Sequence, residues 1–235
     1  MEKIETFPVD KFDLNTSHLL KDLPLVDMQL LTKNKTTHLY KKGQVIFREN
    51  SYPTGIYILE SGMVKKYKVG AQKNEHIVYI FTPGEIMGIQ SVLSVERYLD
   101  SASTLQDSEI SFIPREDFLG AIDQSPKLAQ KLLRILSHEF GVLINTIAIQ
   151  SQKTVKERLV INLITLREKF KQANSLTNDV VNITLSRTDL AFMVGATRET
   201  IVRLLSELKD QKIINTSGSL ITVIDFGALL KIVNY

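Results

Sequence analysis

The stretch Thr197-Arg198-Glu199-Thr200-Ile201-Val202-Arg203-Leu204-Leu205 decides how the rest of the chain is read. Its apolar residues fall at Ile201, Leu204, Leu205 and, just beyond, Leu208, the three- and four-residue steps of an amphipathic helix. Arg198, Glu199 and Arg203 are left on the other side. Arginine donates two hydrogen bonds to the O6 and N7 of guanine, and glutamate accepts one from the amino group of cytosine. A helix that buries one stripe and offers those groups on the other has the chemistry to enter a DNA major groove. A solvated surface helix carries the same pattern, so the flanking residues must discriminate.

They do. Leu185 to Val194 reads as a preceding helix, with Ser186 as N-cap and Asp189 placed to complete a capping box. Gly195 supplies the positive φ that a sharp inter-helix turn prefers, and Thr197 suits the N-cap of the second helix. Downstream, Ile213-Ile214-Asn215-Thr216 and Leu220-Ile221-Thr222-Val223 are β-branched runs joined through Ser217-Gly218-Ser219, a hairpin signature. Helix, turn, helix and hairpin describe a winged helix-turn-helix.

The 235 residues suffice for two domains, and 43% hydrophobic with 23% charged residues is a globular composition. No apolar run approaches the length needed to span a bilayer. The start, Met1-Glu2-Lys3-Ile4-Glu5, is acidic and lacks the apolar core of a secretory signal. A cytoplasmic protein without a membrane partner is expected. There is no cysteine, which excludes disulfides, thiolate-held iron–sulfur clusters and thiol redox sensing. The net charge of +3 is uneven: residues 1–151 hold 17 Lys and Arg against 18 Asp and Glu, residues 152–235 hold 12 against 8. The basic excess lies with the reading helix, as phosphate contacts require.

From about Thr36 to Phe112 the chain reads as short strands broken by Lys42-Gly43, Pro53-Thr54-Gly55, Ser61-Gly62, Gly70, Pro83-Gly84 and Gly88, the pattern of an antiparallel sandwich or barrel. The period then changes. From Pro126 to about Ser151 apolar residues recur at helical steps, among them Leu128, Leu132, Leu133, Ile135, Leu136, Phe140, Leu143, Ile144 and Ile147. One side of such a helix can pack on the barrel. The other needs a partner, and Leu132, Leu136, Phe140, Leu143 and Ile147 are the candidate dimer residues. Thr154-Val155-Lys156-Glu157 is a capping box opening a further helix to about Phe170, so the polar Gln150 to Lys153 tract reads as a hinge. The expected fold is α+β, with a barrel domain over 1–125, a long dimerisation helix over 126–151 and a winged helix-turn-helix over 152–235.

Barrel, long helix and winged helix together resemble the CRP/FNR family of bacterial transcription regulators, over about residues 36–224. Lys42-Gly43-Gln44 with Ile56-Tyr57-Ile58-Leu59-Glu60-Ser61-Gly62 resembles the opening turns of its cyclic-nucleotide-binding-type jelly-roll barrel. Pro83-Gly84-Glu85-Ile86-Met87-Gly88 resembles the segment entering its ligand pocket, and Thr197 to Arg203 its recognition helix. The resemblance implies a homodimer acting with RNA polymerase on double-stranded DNA. Arg198 and Arg203 would contact guanines and Glu199 a cytosine, favouring inverted TGTGA-like half-sites. Ser186, Arg187 and Thr197 would hold phosphates. It also implies an effector pocket at Gly84, Glu85, Met87, Gly88, Ile89, Asp100 and Ser101.

At that pocket the pattern departs. By resemblance, the cAMP-binding members carry a glutamate after the glycine matched by Gly88, and an Arg-Ser pair for the cyclic phosphate. Here Ile89 stands for the glutamate and Asp100 for the arginine, allowing one inserted residue in the loop. A carboxylate beside a phosphate is repulsive by about 1–4 kcal/mol at ~4 Å, and isoleucine accepts no hydrogen bond. Arg97, three residues away, reads as a surface residue. cAMP is rejected, and the effector is unknown.

Two readings stay open: an unidentified small molecule shifts the dimer between two states, or the barrel is an empty scaffold and DNA binding is constitutive. A haem-based sensor of the same fold is a third, drawing axial ligands from His38, His76 or Met87, although no spacing links them. His138, in the long helix, could titrate near neutral pH. An enzyme is not expected. Two barrel histidines without a His-x-His pair do not make a metal site, and no nucleophile–base pair or phosphate-binding glycine loop stands out.

Overall fold

The computed structural model describes residues 7–14, 16–70, 75–173 and 181–234. The expectation for Met1–Glu5 lies outside them. By its contacts the chain forms two compact units, one of residues 14–140 and one joining the N-terminal segment up to Asp13 to residues 141 onward. The described residues 7–13, assigned to the barrel domain from sequence, thus group with the C-terminal unit.

Among the described residues the unit 14–140 is built on eight strands: β1 (Thr36–Tyr40), β2 (Val45–Phe47), β3 (Gly55–Ser61), β4 (Val64–Val69), β5 (Glu75–Phe81), β6 (Ile86–Met87), β7 (Ser101–Thr104) and β8 (Ser108–Pro114). They form two four-stranded antiparallel sheets, β1-β8-β3-β6 and β2-β7-β4-β5. Apart from the β4–β5 hairpin, the chain alternates between the sheets as a jelly roll does. The sheets are not closed on each other by hydrogen bonds, so the expected barrel is an open two-sheet sandwich, joined by side chains such as the Phe47 and Tyr57 rings, 5.7 Å apart. Central strand β7 escaped the sequence reading because Ser101-Ala102-Ser103-Thr104 carries no bulky residue. All four are buried, and backbone groups take up hydroxyls there: Ser101 accepts from the Glu49 N–H and Thr104 donates to the Lys41 carbonyl.

Helices α1 (Leu25–Leu31), α2 (Ile89–Ser94) and α3 (Arg115–Gln124) belong to this unit, and α4 (Pro126–Gln152) begins in it. Ser125 caps α4 through the Leu128 N–H, with Pro126 in the first turn as expected. The core gathers Ile56 and Ile58 of β3, Ile113 of β8, Phe118 of α3 and Leu128, Leu132 and Ile135 of α4 around Leu19 and Leu31. Each such side chain contributes about 1.5–3 kcal/mol by leaving water.

Among the described residues α4 is, by length and composition alone, long and apolar enough to cross a bilayer, contrary to the expectation that no segment would be. From Ile135 to Gln152 Glu139 is the one residue among Asp, Glu, Lys and Arg, with His138 beside it, and Gly141, Asn145 and Thr146 break the run without adding charge.

In the other unit, α5 (Val155–Ala173) is followed by β9 (Asn182–Thr184), α6 (Arg187–Val194), α7 (Arg198–Asp210), β10 (Ile214–Ser217), β11 (Leu220–Val223) and α8 (Phe226–Ile232). The Thr154 capping box forms in both directions: the Thr154 N–H donates to Glu157, and the Glu157 N–H to the Thr154 hydroxyl. The Thr154 N–H, Lys153 and the Thr154 hydroxyl, all donating to it, hold the Glu157 carboxyl down at about 2. The hairpin turn is shorter than read from sequence, with Ser217 paired to Leu220 and only Gly218-Ser219 between them. β9 adds a third strand, order β10-β11-β9. Residues Val9–Phe12 form a 3-10 turn held by a buried ion pair from Asp13 to Lys169 (3.2 Å).

Candidate nucleic-acid interface

Helix α7 owes its position to local chemistry. Ser186 caps α6 by accepting the Asp189 N–H and donates its own proton to the Asp189 carboxylate. Gly195 ends that helix at φ +70°, where a β-carbon is strained, and its N–H reaches the Ala191 carbonyl. Thr197 restarts the chain by accepting the Thr200 N–H. Arg158 of α5 braces the turn from beneath, its Nε donating to the Val194 carbonyl at 2.9 Å and a second nitrogen to that of Gly195 at 3.4 Å. No local pattern marks Arg158, because the contact spans 36 residues.

Ile201, Leu204, Leu205 and Leu208 are buried, as the periodicity predicts. Arg198, Glu199, Val202, Arg203 and Ser206 form the exposed face. Arg203 is ion-paired along the helix with Glu207, which also faces Lys156 of α5 at 3.8 Å. Val202 was not singled out from sequence, yet an exposed valine amid charged groups suits the methyl of thymine.

The three phosphate candidates differ. Ser186 and Thr197 are exposed, but their hydroxyls are engaged in capping. Arg187 is half-buried, one guanidinium nitrogen is enclosed without a partner, and burial lowers the group's pKa. It must swing outward to meet a phosphate.

The candidate effector residues are committed to the fold. The Gly84 N–H binds the Leu59 carbonyl. Glu85 is buried and accepts from the Tyr79 hydroxyl and from both the N–H and hydroxyl of Thr82. Met87 and Ile89 are fully buried. Gly88, at φ +85°, starts α2 beneath the Tyr98 ring. Asp100 pairs with Lys66 at 3.1 Å, and Ser101 accepts the Glu49 N–H. Arg97 donates to Asn50 and stacks over Tyr52 at the surface. His38 and His76 are exposed on strands of different sheets while Met87 is interior, so these three are not brought together.

Along α4 the candidate dimer residues divide. Leu132 lies in the core of its own unit, which corrects its assignment to the open side, and Leu136 is partly buried. Phe140 (66% exposed), Leu143 and Ile147 (69%) are uncovered, together with Leu133 and Ile144. Leu133, Phe140 and Ile147 are heptad-spaced, the period of a two-stranded coiled-coil seam.

A jelly-roll sandwich followed by a long helix and a winged helix-turn-helix defines a class of DNA-binding regulator. Residues 37–125 match the cyclic nucleotide-binding domain and residues 157–232 the Crp-like helix-turn-helix domain. The chain belongs to the CRP/FNR family of DNA-binding transcription regulators. It is 28% identical over 192 residues to the fumarate and nitrate reduction regulatory protein of Vibrio cholerae, covering 82% of this chain and 76% of that one. The anaerobic regulatory protein of Haemophilus influenzae is 27% identical, with 82% and 74% covered. In fold it is similar to FixK2 from Bradyrhizobium japonicum (TM-score 0.76, 23% identity, 84% and 96% covered). A crp/fnr-family regulator from Eubacterium rectale is also similar (TM-score 0.70, 20% identity, 92% and 98% covered).

Proposed function

We propose that this regulator acts in the cytoplasm as a homodimer that reads inverted TGTGA-like half-sites and does not respond to cAMP. The observation that carries the reading is the outward face of α7, where Arg198, Glu199, Val202 and Arg203 stand exposed above a buried leucine and isoleucine stripe. Two copies joined along α4 would set their reading helices one DNA turn apart, about 34 Å. The heptad-spaced, uncovered Leu133, Phe140 and Ile147 support that pairing. RNA polymerase is the partner through which such a dimer would act on transcription.

cAMP is disfavoured by chemistry. No guanidinium stands at position 100 to meet a cyclic phosphate, and Ile89 is packed in the core. The relatives' names speak of anaerobic control and of fumarate and nitrate reduction; a thiolate-held iron–sulfur cluster cannot serve here, since these residues include no cysteine. A second reading, constitutive DNA binding over an unused sandwich, is favoured by the internal hydrogen bonds of Glu85 and Ser101.

Fluorescence anisotropy with ligand-free protein tests these readings, comparing a duplex of two inverted TGTGA-type half-sites with a scrambled one at physiological salt. Tight, selective binding supports the half-site and constitutive action. Selective binding that appears only with an added effector supports the half-site and a sensing role. Equal affinity for both duplexes under every condition removes the half-site.

A further inference from the structure

Two loops of the unit 14–140 are fused into one wall: residues 48–54 join β2 to β3, and residues 95–100 join α2 to β7. The Asn50 N–H donates to the Tyr98 carbonyl and the Tyr98 N–H to that of Ser51, each at 2.9 Å. The buried Tyr98 ring stacks on Phe47 with centroids 4.1 Å apart, and its hydroxyl donates to the Gly55 carbonyl. Arg97 donates to the Asn50 carbonyl at 2.7 Å and to the Tyr52 hydroxyl at 3.0 Å, with its guanidinium 4.1 Å from the centre of the Tyr52 ring. These ties fix the side chains in advance, which lowers the ordering cost of binding a ligand.

The two loops and Lys68 of β4 line an open cleft of about 530 Å³, a volume in the range of small-molecule sites. It shares no residue with the effector positions at 84–89 and 100–101, and none of its lining residues comes from α4. Its surface is incomplete in two respects. Tyr52, Val95 and Leu99 present apolar groups to water, and Val95 does so at φ +59°, a conformation that strains a β-branched residue. Backbone strain of this kind is a feature of ligand clamps. Charge is the second respect. Glu49 and Lys68 neutralise each other at 3.0 Å, and Lys68 also donates to the Leu99 carbonyl. Glu96 and Arg97 are both exposed, and neither has a charged partner among the described residues. A ligand with one charge would match one of them and leave the other unpaired. A zwitterion meets both.

We propose that this cleft binds an α-amino acid with an apolar side chain. The carboxylate accepts from Arg97, the ammonium donates to Glu96, and the side chain covers Tyr52, Val95 and Leu99. Such a site goes beyond the DNA-reading role, and its test uses no DNA, so failure here leaves the assignment of α7 standing.

The test is thermal unfolding of the full chain in phosphate buffer at neutral pH, with leucine and phenylalanine as probes. Phenethylamine lacks the carboxylate, 3-phenylpropionate lacks the ammonium and glycine lacks the side chain, so each control removes one of the three contacts. At least one probe is expected to raise Tm by a few degrees through binding to the native state, with the three controls inert at the same concentration. Glu96→Gln and Arg97→Gln should each increase about tenfold the concentration needed for the same rise, as loss of one charge-assisted hydrogen bond implies. Glu96→Gln should keep the ligand-free Tm of the wild type, since that side chain is exposed, so it decides the matter even if Arg97→Gln loosens the loops. An equal response in wild type and Glu96→Gln, an equal rise with phenethylamine or 3-phenylpropionate, or no rise with either probe up to tens of millimolar overturns the proposal.

Discussion

Helices α4 and α7 each bury one stripe and leave another uncovered, and the uncovered stripes have opposite chemistry. On α7 the open face is Arg198, Glu199, Val202 and Arg203, mostly polar groups whose donors and acceptors match base edges. On α4 it is Leu133, Phe140, Leu143, Ile144 and Ile147, which offer nothing to a base and much to another apolar surface. An amphipathic pattern in a sequence shows that a face exists. The composition of the face left open indicates what kind of surface suits it: polar base edges for α7, another apolar face for α4.

The contrast breaks most visibly at α4. Phe140→Asp combined with Ile147→Asp should convert the proposed dimer to a folded monomer by light scattering, because both side chains are already exposed in the isolated chain. Affinity for the two-half-site duplex should fall by about 10²–10⁴, the avidity lost when two linked readers become one. Unchanged mass and affinity would remove the seam.

On α7, Arg203→Ala should cost about 1–3 kcal/mol on the preferred duplex and relax discrimination at one base pair. Anisotropy against single-base variants of the site measures both. A uniform loss across all duplexes would make Arg203 a phosphate contact and not a reader.

Glu139 sharpens the comparison from inside α4. Its carboxyl is raised by burial, so the folded state favours the protonated acid. That contribution is intact below the unfolded-state value, about 4.3, and is lost as pH rises through the folded value. Ligand-free Glu139→Gln should therefore exceed wild type in Tm near pH 8, and the difference should close as pH falls below that of a free glutamate. Melting curves across pH check the sign.

The smallest effect belongs to Glu207, which holds Arg203 in an i, i+4 pair. Such exposed pairs amount to only about 0.3–0.5 kcal/mol, so Glu207→Gln should tighten DNA binding about twofold by freeing Arg203. The gain should vanish in the Arg203→Ala background, which a double-mutant cycle measures.

What the sequence made legible was local. The caps at Thr154, Ser186 and Thr197 depend on residues three apart, and all three form. The α7 core stripe follows from period alone. Leu132 shows the limit: periodicity found a wide apolar face on α4 but not which part its own unit covers, and one residue, about 100° around the helix, separates buried Leu132 from exposed Leu133. β7 was invisible because its burial rests on small hydroxyl residues satisfied by distant backbone. The Lys66–Asp100 pair and the Arg158 brace join residues 34 and 36 apart in sequence, and no local pattern announces them. Asp100 reads as wrong for a phosphate, while its partner Lys66 could be seen only in the fold.

The most direct test of the central claim is selection of duplexes from a random library by the full-length protein, followed by sequencing of the bound pool. The expected outcome is an inverted repeat of TGTGA-like half-sites with centres about one helical turn apart, and loss of one arm's guanine preference in Arg203→Ala. An enriched sequence without two-fold symmetry, or no enriched sequence at all, would contradict it.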